Sequence, residues 1–134
     1  MKFEFHHIGV ISGDLKKSRQ FYESLGYEAA KTFIDPLQMV EIVFMNRGQD
    51  PLIELVTPTS PESPAQSWLE RLKIGPYHIC YEVENLDQAI LELRKSGLTT
   101  ASKPQPAVAF SGRPVSFLWS LKSGLIEVLQ KKIY

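Results

Sequence analysis

The stretch His7-Ile8-Gly9-Val10, continued by Asp14-Leu15, Tyr22 and Gly26-Tyr27, decides the fold because it occurs twice. Its counterpart is His78-Ile79-Cys80-Tyr81, then Asn85-Leu86, Leu93 and Gly97-Leu98, and every pair is offset by 71 positions without a gap. A second echo lies downstream, where Leu52-Ile53-Glu54 recurs as Leu125-Ile126-Glu127 at an offset of 73. Identity between the copies is low, but the matches fall on residue types with structural roles. The chain reads as two copies of one module.

Working outward from His7, residues 7–11 form a short strand bounded by Ser12-Gly13. Asp14 caps a helix whose apolar positions Leu15, Phe21, Tyr22 and Leu25 lie roughly on one face, and Gly26 ends it. Three strands follow, over 28–34, 38–46 and 51–57. In the second copy the strand is 77–83 and Asn85 is the cap. Leu86, Ala89, Ile90 and Leu93 make the i, i+3, i+4, i+7 helical stripe, and Gly97 is the stop. Strands follow over 98–103, 113–119 and 124–130, with a looser segment from Pro104 to Gly112. Each module is therefore β-α-β-β-β and the class is α+β. The expected organisation is one domain over 1–134, with modules at about 1–57 and 75–134. They are joined by a structured connector, 58–74, in which Pro58, Pro61 and Pro64 break any strand. Ser63 followed by Pro64 looks like a helix start, with Trp68, Leu69 and Leu72 facing the body.

Composition narrows the function classes. Fifteen basic and 15 acidic residues in 134 leave a formal net charge of zero, which excludes a broad electropositive field for nucleic acid. No apolar run approaches the roughly 20 residues that span a bilayer. The start lacks the apolar core of a secretory signal, and the single cysteine, Cys80, has no intramolecular partner for a disulfide. The expectation is a reduced, cytoplasmic protein.

Four polar residues stand where strands should be apolar. His7 and His78 open equivalent strands, while Glu54 and Glu127 sit inside equivalent apolar ones. Strand alternation puts Glu54 on a face with Leu52 and Val56, and Glu127 on a face with Leu125 and Leu129. A buried, ionised carboxylate needs a partner. Two imidazoles and two carboxylates suit a first-row divalent cation, and an octahedral ion would keep two positions for water or substrate. A lone strand histidine is ordinarily a hydrogen-bonded core or edge residue; four such residues in register with an internal duplication favour a metal site. His6 points to the opposite face from His7, Cys80 packs as a small hydrophobe, and Glu41 is more readily a surface acid than a pocket acid.

The chain resembles the vicinal oxygen chelate superfamily, which includes glyoxalase I, methylmalonyl-CoA epimerase, extradiol dioxygenases and bleomycin-resistance proteins. The resemblance runs from His6-His7-Ile8-Gly9-Val10 to Gly124-Leu125-Ile126-Glu127-Val128. It is carried by Ile53-Glu54-Leu55-Val56-Thr57-Pro58, Ser60-Pro61-Glu62-Ser63-Pro64 and Tyr77-His78-Ile79-Cys80-Tyr81-Glu82-Val83. It implies paired modules forming a cupped mixed sheet around a metal, with His7, Glu54, His78 and Glu127 as ligands of one divalent ion (Zn, Ni, Co, Mn or Fe). It also implies an isomerase or lyase of the glyoxalase I or methylmalonyl-CoA epimerase type. In such enzymes a proton α to a carbonyl moves through an enolate or enediolate, with Glu127 or Glu54 as the base. The expected partners are a small carbonyl or thioester substrate and, in a homodimer, a second copy of the chain, with no nucleic acid and no membrane. A ligand-sequestering protein is the alternative from another class. A dioxygenase is weaker, because a second acid exceeds the 2-His-1-carboxylate set.

Overall fold

The computed structural model describes residues 1–132. The element order is β1 (Glu4–Ile11), α1 (Leu15–Ser24), β2 (Glu28–Asp35), β3 (Val40–Asn46), β4 (Leu52–Pro58), α2 (Pro64–Leu72), β5 (Gly75–Val83), α3 (Leu86–Lys95), β6 (Thr99–Pro106), β7 (Pro114–Ser120) and β8 (Gly124–Gln130). This is the duplicated β-α-β-β-β layout with α2 in the connector, and the class is α+β. A 3-10 turn over Val108–Phe110 falls within the looser segment, and β6 runs on into that segment as far as Pro106. Among the described residues no helix is long and apolar enough to cross a membrane. The chain divides into two compact units, residues 7–77 and residues 1–6 with 78 onward.

In the unit of residues 7–77 the strand order is β2-β3-β4-β1. β1 runs parallel to β4, with His7 opposite Leu52 and Gly9 opposite Glu54, and the other pairings are antiparallel. One face of this sheet is closed by α1. Val10, Val43, Met45, Ile53 and Leu55 form the buried cluster there, with Leu15 and Tyr22 of the helix packed on it. The Asp14 side chain accepts from the Lys17 backbone N–H at 3.0 Å, satisfying one of the free donors of the first turn. Gly26 follows the helix at φ 95°, a conformation that a side chain disfavours. The apolar stripe of α1 is narrower than its sequence implied. Leu15 and Tyr22 pack inward and Ser18 is buried, its hydroxyl 2.6 Å from that of Ser12, while Phe21 and Leu25 are exposed. Phe21 lies a hundred degrees around the helix from Tyr22, and Leu25 is the residue at which the helix ends.

The other unit repeats the plan. Its strand order is β5-β8-β7-β6, with β5 parallel to β8, His78 opposite Leu125 and Cys80 opposite Glu127. α3 closes one face over Val83, Leu118 and Val128, using Leu86 and Ala89 with Ile90 and Leu93, the stripe read from the sequence. Asn85 caps α3 by accepting from the Gln88 N–H at 3.0 Å, and Gly97 ends it at φ 99°. The N-terminal segment belongs to this core. Phe3 packs against it and meets the Tyr81 ring edge-on at 6.4 Å, and Lys131 pairs with Glu4 at 3.0 Å. That pairing lowers the Glu4 carboxyl and raises the Lys131 ammonium from their ordinary pKa values, chiefly through the hydrogen bond between them.

The connector helix α2 starts as expected. Ser63 accepts from the Ala65 N–H at 3.2 Å and donates to the Gln38 carbonyl at 2.8 Å, with Pro64 in the first turn. Trp68 and Leu69 are half-buried, whereas Leu72, in the last turn, is exposed rather than turned to the body.

Candidate metal centre

The α helices occupy one face of each sheet, so the opposite face is where the polar strand residues collect. In β1 the residues of the helix side are Ile8 and Val10, and His7 alternates away from them. In β4 the helix side takes Ile53 and Leu55, which leaves Glu54 on the face of His7. The same parity in β5 and β8 puts Val83 and Val128 against α3, and His78 and Glu127 on the other side. This is the register read from the sequence.

Each unit brings its own histidine and glutamate together. His7 Nε2 lies 3.5 Å from Glu54 Oε1, and His78 Nε2 lies 3.2 Å from Glu127 Oε1. The four residues are between 0% and 4% exposed, so two carboxylates have left water in the company of imidazoles. Such burial is tolerated only where positive charge or strong donors compensate it. The donor set fits a metal ion on chemical and geometric grounds. Imidazole nitrogen and carboxylate oxygen are ordinary ligands of Zn and its neighbours. At bond lengths of roughly 2.0–2.2 Å, two adjacent ligands of one ion stand about 3 to 3.4 Å apart. The separation in each unit is close to that range.

The neighbouring candidates fall outside this set. His6 is half-buried on the opposite parity, with its ring edge-on to Phe110 at 5.3 Å. Cys80 is fully buried on the His78 face and forms no disulfide. Glu41 alternates with Val43 and Met45 onto the helix side, where it borders a surface cleft with Leu15, Lys16, Arg19 and Thr32. It is not a pocket acid beside His7.

Two aromatic residues at the site escaped the sequence reading. Phe44 of β3 stands opposite Glu54 in register, and its ring meets His7 at 5.8 Å and 75°. Phe117 of β7 stands opposite Glu127, and its ring meets His78 at 5.3 Å and 88°. The signal was available, since Phe44 and Phe117 share the offset of 73 that relates Glu54 to Glu127.

Comparison with known proteins agrees with this architecture. Residues 6–117 match the family model described as Glyoxalase/Bleomycin resistance protein/Dioxygenase superfamily. The mitochondrial methylmalonyl-CoA epimerase of Bos taurus is 33% identical over 129 residues, covering 93% of this chain and 73% of that protein. The ethylmalonyl-CoA/methylmalonyl-CoA epimerase of Cereibacter sphaeroides is 30% identical over 115 residues, covering 84% of this chain and 85% of that one. The crystal structure of the Mycobacterium tuberculosis methylmalonyl-CoA epimerase matches with a TM-score of 0.83 at 20% identity, over 97% of this chain and 89% of that one.

Proposed function

Because this chain belongs to the Glyoxalase/Bleomycin resistance protein/Dioxygenase superfamily, we propose that it is a metal-dependent epimerase of malonyl-type coenzyme A thioesters. The observation that carries the reading is the pair of buried His–Glu couples, set at equivalent registers by the duplication. The relatives named methylmalonyl-CoA epimerase support this substrate class. A divalent ion held jointly by His7, Glu54, His78 and Glu127 would neutralise both carboxylates and supply Lewis-acid polarisation of the thioester carbonyl.

The chain's own residues then handle the proton. One carboxylate, Glu127 or Glu54, would loosen its hold on the ion when substrate binds and take the proton from the carbon α to the thioester carbonyl. The C–H electron pair moves into the enolate, and the proton stays on the carboxyl group until it returns. The enolate carbon is planar, so return to its other face inverts the centre and return to the original face restores it. Neutral imidazoles serve as nitrogen donors, so His7 and His78 act as ligands and not as the base. The four side chains are themselves buried, which limits bulk water around them and strengthens the local electrostatics.

The test is solvent deuterium exchange at the α carbon of methylmalonyl-CoA, followed by mass spectrometry on protein loaded with zinc, nickel, cobalt or manganese. Catalysed exchange is the expected result. Absence of exchange with every metal overturns the epimerase reading. Exchange confined to hemithioacetals of methylglyoxal would replace it with a glyoxalase-type reaction, and tight thioester binding without exchange would indicate sequestration.

A further inference from the structure

We propose that Phe44 and Phe117 are positioning residues of the metal site, each fixing the imidazole plane of its own module and keeping water from its glutamate. The proposal rests on the metal reading of the previous subsection and extends it to residues outside the donor set.

Three observations carry it. Each phenylalanine is the cross-strand neighbour of the glutamate, Phe44 of Glu54 and Phe117 of Glu127, which brings the side chains to within about 5 Å at Cβ. Each also meets the histidine of its couple in a near-perpendicular ring contact, at 5.8 Å and 5.3 Å. The aromatic ring therefore touches one partner of the couple and flanks the other. Finally, the duplication retains it selectively. On the same strand face Ile42 is matched by Val115 and Asn46 by Trp119, but Phe44 is matched by Phe117.

The physical reason lies in the softness of the histidine ring torsion. Rotation about the bond from Cβ to the imidazole is broad, so a histidine on a strand does not by itself aim Nε2 in one direction. A perpendicular ring beside it closes off part of that rotation, and the edge-to-face arrangement is a favourable one for two aromatic rings. Less ordering is then required when a cation binds, which raises affinity without a new bond to the ion. The phenyl ring also offers no hydrogen bond, so water beside the glutamate would lose a partner on that side. Residues that orient ligands characteristically change metal affinity by 10- to 100-fold when altered.

The experiment uses the full chain with Phe44→Leu, Phe117→Leu and Phe117→Tyr. Dissociation constants for zinc are read by chelator competition, and the visible absorption of the cobalt-loaded forms reports ligand geometry. The two leucine variants retain apolar bulk but no ring. Each is expected to weaken zinc about 10-fold or more and to alter the cobalt spectrum. Phe117 is only half-buried, so its tyrosine variant can hold the ring while its hydroxyl reaches water, and it is expected to restore wild-type affinity and spectrum. Wild-type affinity and spectrum in both leucine variants overturn the inference while leaving the metal site standing. So does a loss in Phe117→Leu that Phe117→Tyr fails to repair. If the wild-type protein takes up no zinc or cobalt, the metal reading itself fails and this inference falls with it.

Discussion

At the scale of single residues, the decisive fact is a parity. His6 and His7 are adjacent, yet only His7 shares a sheet face with Glu54, because successive side chains on a strand point to opposite sides. His7→Ala is therefore expected to weaken metal binding strongly and His6→Ala to leave it intact, as measured by calorimetric titration with zinc. The reverse pattern would put the register off by one. The role of the second acid is separable from its role as a donor. An amide oxygen can still coordinate an ion but does not accept a proton near neutral pH. Glu127→Gln is expected to retain metal and to lose α-proton exchange, as seen by deuterium incorporation; unchanged exchange in a metal-loaded Glu127→Gln variant would move the base to Glu54.

At the scale of elements, α2 shows how a short helix is held by its cap. Ser63 is buried, and its hydroxyl both accepts from the Ala65 N–H and donates to the Gln38 carbonyl. Ser63→Ala removes both bonds and takes that donor from the half-buried Gln38. It should lower stability by about 1–2 kcal/mol in urea unfolding, without changing the slope of the transition. The elements also show what a linear pattern can and cannot convey. The start and stop signals of α1 and α3 were legible because each acts locally: the Asp14 and Asn85 side chains accept from an N–H three residues on, and Gly26 and Gly97 adopt a positive φ. The exposure of Phe21 and Leu25 was not, because that depends on which arc of the helix the sheet covers. The same holds for Leu72 at the end of α2.

At the scale of the molecule, the duplication makes a quantitative prediction about stoichiometry. Two His–Glu couples that served separate ions would bind two per chain. Couples that serve one ion jointly bind one, and that is the expected result by elemental analysis after dialysis at neutral pH. Because an ion that binds only the folded protein stabilises it by mass action, removal with a chelator is expected to lower the melting temperature. At a free metal concentration 1,000-fold above the dissociation constant the effect is about 4 kcal/mol. A melting temperature indifferent to chelation would count against joint ligation.

The sequence alone determined the module, its repetition, the helix boundaries and the four polar strand residues, because each is encoded locally. A cap bonds a residue three positions away, a strand alternates with period two, and a buried charge is conspicuous among aliphatic neighbours. The offsets of 71 and 73 also made His7 equivalent to His78 and Glu54 equivalent to Glu127 before any strand was paired. What the tertiary structure decided were relations across strands. It set the register of Gly9 against Glu54 and Cys80 against Glu127, the His–Glu separations of 3.5 and 3.2 Å, and the helix-side position of Glu41. It also brought Phe44 and Phe117 beside the two couples; the offset of 73 marks them as equivalent along the chain but does not make them neighbours of the histidines. These depend on which strand pairs with which and at what offset, a property fixed by packing of the whole sheet and not by any one segment.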